Sequence, residues 1–148
     1  MATRSLVQFE NGIVIYRHWD GYPSTVLKDL KYAIEKGVRT DDTEYFIAGF
    51  LQQMGAKHQK WLDDYYNDEK HKDYDTTPEM RNAVLGYGVI GVEDLKDLDC
   101  GQEYCYQFNS KEVKILTWTA TKCVRKFKYP ELIEMTNDEL YEKVKRYE

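Results

Sequence analysis

Two early runs read as strands, Thr3 to Phe9 and Ile13 to Trp19, the second opening on the β-branched and aromatic Ile13-Val14-Ile15-Tyr16, and they flank Glu10-Asn11-Gly12. Asn-Gly is the strongest short hairpin signal, because both central residues of a type I′ turn take positive φ. In the second run Ile13, Ile15, Arg17 and Trp19 share one face, and Val14, Tyr16 and His18 share the other. Both faces carry apolar side chains, which predicts a strand inside a sheet. The spacing then turns helical. Val26, Leu27, Leu30, Ala33 and Ile34 fall on one face, with Ser24 or Thr25 as cap and Gly37 as stop. A second helix is predicted from Asp41, Asp42 or Thr43 through Phe46, Phe50 and Met54, continuing past Gly55 to Trp61 and Leu62.

Asn67 to Thr77 is polar and reads as a loop, and Pro78 opens a short helix through Val84. Val89-Ile90-Gly91-Val92 supplies an extra strand near residue 90. Tyr104 to Phe108 and Val113 to Trp118 make a second hairpin through Asn109-Ser110, and Cys123 to Tyr129 is a further strand or an extended arm. The last helix has the clearest start: Thr136 and Glu139 form a capping box, with Met135 and Leu140 as hydrophobic staple. The expected fold is α+β, an antiparallel sheet built from two hairpins and covered by helices. Residues 1–148 are expected to form one domain, since no linker or repeat divides them.

Composition narrows the setting. Three cysteines, Cys100, Cys105 and Cys123, form no C-x-x-C pair, which argues for a reducing compartment and against a disulfide framework or zinc knuckle. No run of the roughly 18 apolar residues needed for a membrane span occurs, nor a signal-peptide h-region at the amino terminus. A cytoplasmic protein that does not bind membrane is expected. The net charge of −5 argues against general nucleic-acid binding. The charge is uneven, however. Lys111, Lys114, Lys122, Arg125, Lys126 and Lys128 face only Glu112 in one segment, while 63–75 carries Asp63, Asp64, Asp68, Glu69, Asp73 and Asp75. Such asymmetry can orient an anionic ligand or a partner, though a pair of solvated faces has the same composition.

Candidate chemistry concentrates in Tyr16-Arg17-His18-Trp19-Asp20-Gly21-Tyr22-Pro23, at the end of a predicted strand. Asp-Gly-Tyr-Pro is turn chemistry, and a helix follows at once, so backbone N–H groups near Ser24 are expected to point toward the same corner. The hairpin returns Arg4 beside the end of the second strand, where Arg4, Arg17 and His18 are expected to converge. His18 and Asp20 would suit a general base and its orienting carboxylate, but no nucleophile or metal-ligating set accompanies them. No catalytic residue, metal ligand or cofactor is therefore assigned, and binding is favoured over turnover.

The opening Thr3-Arg4-Ser5 and Tyr16-x-His18-Trp19-Asp20-Gly21-Tyr22-Pro23 resemble a family of small proteins of phages, prophages and bacteria that begin T-R-S or T-R-N and carry Y-x-x-W/Y-D-G-Y-P. The likeness covers about the first 35 residues and, loosely, Glu103 to Trp118. It implies a phage origin, and a site at Thr3, Arg4, Tyr16, Trp19, Asp20, Gly21, Tyr22 and Pro23, without a reaction.

Arginine and a helix amino terminus suit phosphate, and Trp and Tyr faces suit a stacked base. The expected ligand is therefore small, anionic and nucleotide-like, bound by Arg4, Tyr16, Arg17, His18, Trp19, Asp20, Tyr22 and Ser24. The concrete form is a phage sponge that sequesters a nucleotide signal of host immunity in the bacterial cytoplasm, working as a homo-oligomer. Two alternatives stand beside it. One is an inhibitor that binds a host protein through the acidic 63–75 surface; the other is a small hydrolase acting on nucleotides.

Overall fold

The computed structural model describes residues 2–74, 77–79 and 86–148. Strands β1 (Ser5–Phe9) and β2 (Ile13–Arg17) form the expected hairpin. Its turn is not the type I′ form that Asn-Gly suggested, since Gly12 takes φ 89° while Asn11 does not take positive φ, and the Gly12 N–H donates to the Phe9 carbonyl at 2.9 Å. Helices α1 (Pro23–Glu35) and α2 (Thr43–Asn67) follow, and Asp42 caps α2 by accepting from the Tyr45 N–H. Strand β3 (Tyr87–Val92) leads through a short 3₁₀ turn to β4 (Tyr104–Phe108), β5 (Glu112–Leu116) and β6 (Cys123–Lys128). The chain then forms α3 (Tyr129–Glu134) and α4 (Asn137–Val144). Of the short helix expected from Pro78 to Val84, residues 80–84 lie outside the described residues.

The strands make one sheet in the order β3-β2-β1-β4-β5-β6. It is mostly antiparallel, but the expectation of a wholly antiparallel sheet is corrected at its centre, where β1 and β4 run parallel. Two three-stranded antiparallel units, β1-β2-β3 and β4-β5-β6, lie side by side, and β3 joins the first only after α1 and α2. A turn signal specifies only the pairing of the strands it joins, and no turn joins β1 to β4. β2 is an interior strand, as its two apolar faces require.

One face of the sheet carries the core. Val7, Phe9, Ile15, Tyr106, Phe108, Val113, Ile115 and Phe127 are buried with Val26, Leu27, Leu30, Phe46, Phe50 and Leu140 from the helices. Phe9 meets Phe46 edge-on at 5.2 Å and Phe108 at 5.4 Å, a geometry worth about 0.5–1.5 kcal/mol per pair beyond the area buried. The opposite face holds a smaller cluster, Leu6, Val14, Cys105 and Leu116 beneath Leu95. Among the described residues no α-helix contributes to that cluster, and the row Gln8, Gln107, Lys114, Lys126 lies on the same face of the sheet.

Candidate functional site

Strand alternation decides where the octapeptide points. Ser5 pairs with Arg17 and Leu6 with Tyr16, so Arg17 turns toward the helices while Tyr16 turns away from them. Arg17 is 3% exposed, and its guanidinium donates to the Asp29 carboxylate at 2.6 Å, the Tyr87 hydroxyl at 2.7 Å and the Trp19 carbonyl at 2.6 Å. Lys57 donates to the second Asp29 oxygen at 2.6 Å. Burial opposes the Arg17 charge, but Tyr87 and Asp29 together outweigh it and hold its pKa above the ordinary value. Burial likewise pushes the Tyr87 phenol up, so it stays protonated. Every group in this cluster is bonded within the fold, which makes Arg17 a support for the Trp19 backbone.

Arg4 lies on the other side. Extending the β1–β2 register by one pair sets Arg4 opposite His18, on the face with Leu6 and Tyr16. Its guanidinium rests against Gly101, where a Cβ would come 2.8 Å from Nη1. Among the described residues it makes no hydrogen bond or ion pair, although its backbone carbonyl accepts from the Glu103 N–H at 2.9 Å. The expected convergence of Arg4, Arg17 and His18 is thus corrected: Arg4 and His18 share a side, and Arg17 faces away from both. Hairpin proximity is real, but neighbours in odd and even register occupy different faces.

Tyr16 and His18 form a pair, the hydroxyl 2.6 Å from Nδ1. With the hydroxyl donating, a neutral imidazole carries its proton on Nε2, a donor free to meet an acceptor. His18 bonds Tyr16 and not Asp20, so the base-and-orienter arrangement is not formed. Trp19 packs edge-on to His18 at 4.6 Å between centroids and keeps 49% of its surface exposed. The His18 Cβ and the Trp19 ring crowd Gly86, where a Cβ would lie 2.9 Å from the first and 3.0 Å from the second.

The turn works differently from its sequence. Asp20, at φ 52°, takes the left-handed conformation that a glycine adopts most freely, and Gly21 does not. Gly21 is required instead by close approach: a Cβ there would lie 2.8 Å from both the Ser5 Cβ and the Thr3 carbonyl. Its N–H donates to Thr3 at 2.8 Å and its carbonyl accepts from the Tyr106 hydroxyl at 2.6 Å. Tyr22, not Ser24 or Thr25, is the N-cap of α1, and it gives no side-chain cap bond. Its ring sits 5.9 Å from Tyr104. Ser24 lies in the first turn, and its N–H donates to the Glu148 carboxylate at 2.7 Å. A side chain of the fold therefore already bonds an N–H group of this helix start that the sequence suggested for a phosphate.

The residues missed in sequence were Asp29, Lys57, Tyr87, Gly86 and Gly101. Asp29 had a readable signal, since it falls on the same helical stripe as Val26 and Ala33; a carboxylate there implies a buried cation. In the basic segment Lys114 pairs directly with Lys126, like charges at adjacent strand positions. Among the described residues no helix is long and apolar enough to cross a membrane, and no three His, Cys, Asp or Glu side chains gather as a metal site. No protein-family model, curated protein or solved structure matches the chain.

Proposed function

We propose that this protein holds a small anionic ligand of nucleotide type on the sheet side that carries Arg4, Tyr16 and His18, with Trp19 packed edge-on against His18. In this reading it is a phage protein that sequesters a nucleotide signal of host immunity in the bacterial cytoplasm, without turnover and as a homo-oligomer. The observation that carries it is Arg4, a half-buried guanidinium with no hydrogen-bond or ion-pair partner among the described residues. An arginine held partly out of water is a ready partner for phosphate, and charge-assisted bonds of this kind contribute about 1.5–3 kcal/mol each. The His18 imidazole adds a polar group on the same side, and the exposed Trp19 offers a face on which a base can stack for about 1–3 kcal/mol. Arg17, Tyr87 and Asp29 act from beneath by fixing the Trp19 carbonyl.

The experiment is native mass spectrometry of protein purified from cells that express a nucleotide-based defence, followed by chromatography of the ligand after incubation. A bound mass matching an unaltered nucleotide supports sequestration. Recovery of a converted product favours the hydrolase. With no bound nucleotide, and activity abolished by neutralising Asp63, Asp64 and Asp68, the partner-binding alternative replaces this reading.

A further inference from the structure

We propose that β3 is a docking edge for a second copy of this chain, the two sheets joining β3 to β3 about a two-fold axis. The inference rests on the self-association proposed above and names its surface; it is independent of the ligand. The sheet ends in β3 on one side and β6 on the other, and no described strand lies beyond either. The two edges differ in chemistry. β6 carries Arg125, Lys126 and Lys128, with Lys122 just before it, and charged edge strands resist pairing with another chain. β3 reads Tyr-Gly-Val-Ile-Gly-Val with no charge at all, and leaves Val89 63% and Val92 71% exposed.

The protective device on β3 is a bulge. Val14 pairs with Gly91 and Ile15 with Val89, so Ile90 is the extra residue, and Tyr87 to Val89 stay in regular register. That stretch offers backbone N–H and C=O groups to a further strand. A second copy fits it best for two reasons. Each copy carries a net charge of −5, so contact is least opposed where the surface has no charge. Antiparallel pairing of a strand with itself is also self-complementary, and a two-fold closes the assembly where the lysines of β6 would resist growth into a fibre. One strand pair buries less than the roughly 1,200–2,000 Å² of a stable interface, so the contact must extend to its neighbours. Trp19, exposed beside Gly86 at the start of β3, is placed to join it, which would bring the two candidate sites to the dimer seam.

Sedimentation velocity of the full chain over a concentration series tests this, with Val89→Lys/Val92→Lys on one edge and Lys126→Gln on the other. Wild type and Lys126→Gln are expected to sediment as dimers; the double lysine variant is expected to be a monomer with unchanged circular dichroism, its dimer affinity reduced at least about tenfold. A wild type that stays monomeric throughout overturns the self-association reading. A dimer that persists in the folded lysine variant overturns the β3 interface alone. Should that variant fail to fold, hydrogen exchange of wild type decides: β3 amides are expected to slow only at concentrations where the dimer forms, and concentration-independent exchange overturns the interface.

Discussion

Arg17 and Asp29, 3% and 5% exposed, show how one residue pair fixes the strand-to-helix corner. Removing one partner of a buried ion pair leaves the other charge uncompensated, a loss of about 3–5 kcal/mol. Arg17→Ala is therefore expected to lower unfolding free energy by that amount in urea titrations, with Lys57 retaining part of the Asp29 interaction. A loss below about 1 kcal/mol would contradict the network. Four residues on, Gly21→Ala places a methyl group against Ser5 and the Thr3 carbonyl, and overpacking of this kind costs about 1–3 kcal/mol. Asp20→Gly is expected to be neutral or stabilising, since glycine accepts positive φ freely. The reverse ranking in thermal melts would refute this division of labour. A paired Arg17 was legible, because a carboxylate on the apolar stripe of α1 needs a cation. The role of Gly21 was not, since it depends on the approach of β1, a tertiary contact with no local signature.

Local signals placed the elements well where they were strong. The Thr136 hydroxyl accepts from the Glu139 N–H at 3.1 Å, the N-cap half of the capping box, while the Glu139 carboxylate meets the Thr136 hydroxyl at 3.2 Å in place of its backbone N–H, and the staple residues Met135 and Leu140 are both buried. Thr136→Ala is expected to cost about 1 kcal/mol, within roughly 0.5–2, measured by chemical denaturation. An unchanged midpoint would show that packing of Leu140 and Val144 holds α4 without its cap. Weak signals failed for physical reasons. Helix α3 spans six residues, too few for apolar spacing to register, and Pro130 in its first turn reads equally well as a break. The start of α1 was misread because its partner, Glu148, lies at the far end of the chain, and Lys31 reaches the Met135 carbonyl in the same long-range way. Both contacts tie α1 to the carboxy-terminal segment, and neither leaves a trace in local sequence.

The whole sheet decides which candidate residues can act together. Hairpin geometry brought Arg4 and Arg17 close in sequence space, yet the period-two alternation of β1 and β2 separates them by the thickness of the sheet. The parallel junction of β1 and β4 was equally hidden, because no turn connects them. The packed core makes its own expectation. Burial holds the Tyr87, Tyr106 and Tyr129 phenols protonated, and pushes the Cys105 thiol from 9.0 up to about 12. Because these pKa values are raised in the folded state, their stabilisation is full below the ordinary values and is lost as pH rises toward the folded ones. Stability is expected to fall above about pH 9, by about 1.4 kcal/mol per pH unit for each group that ionises only on unfolding. Urea midpoints that stay flat or rise with pH there would contradict it. The central claim, that the Arg4 side of the sheet binds a nucleotide, is tested most directly by calorimetric titration of wild type and folded Arg4→Ala with cyclic and linear nucleotides. Binding by wild type, weakened about ten- to a hundredfold in Arg4→Ala, is the expected result; no heat with any nucleotide, or equal affinity in the two proteins, would contradict it.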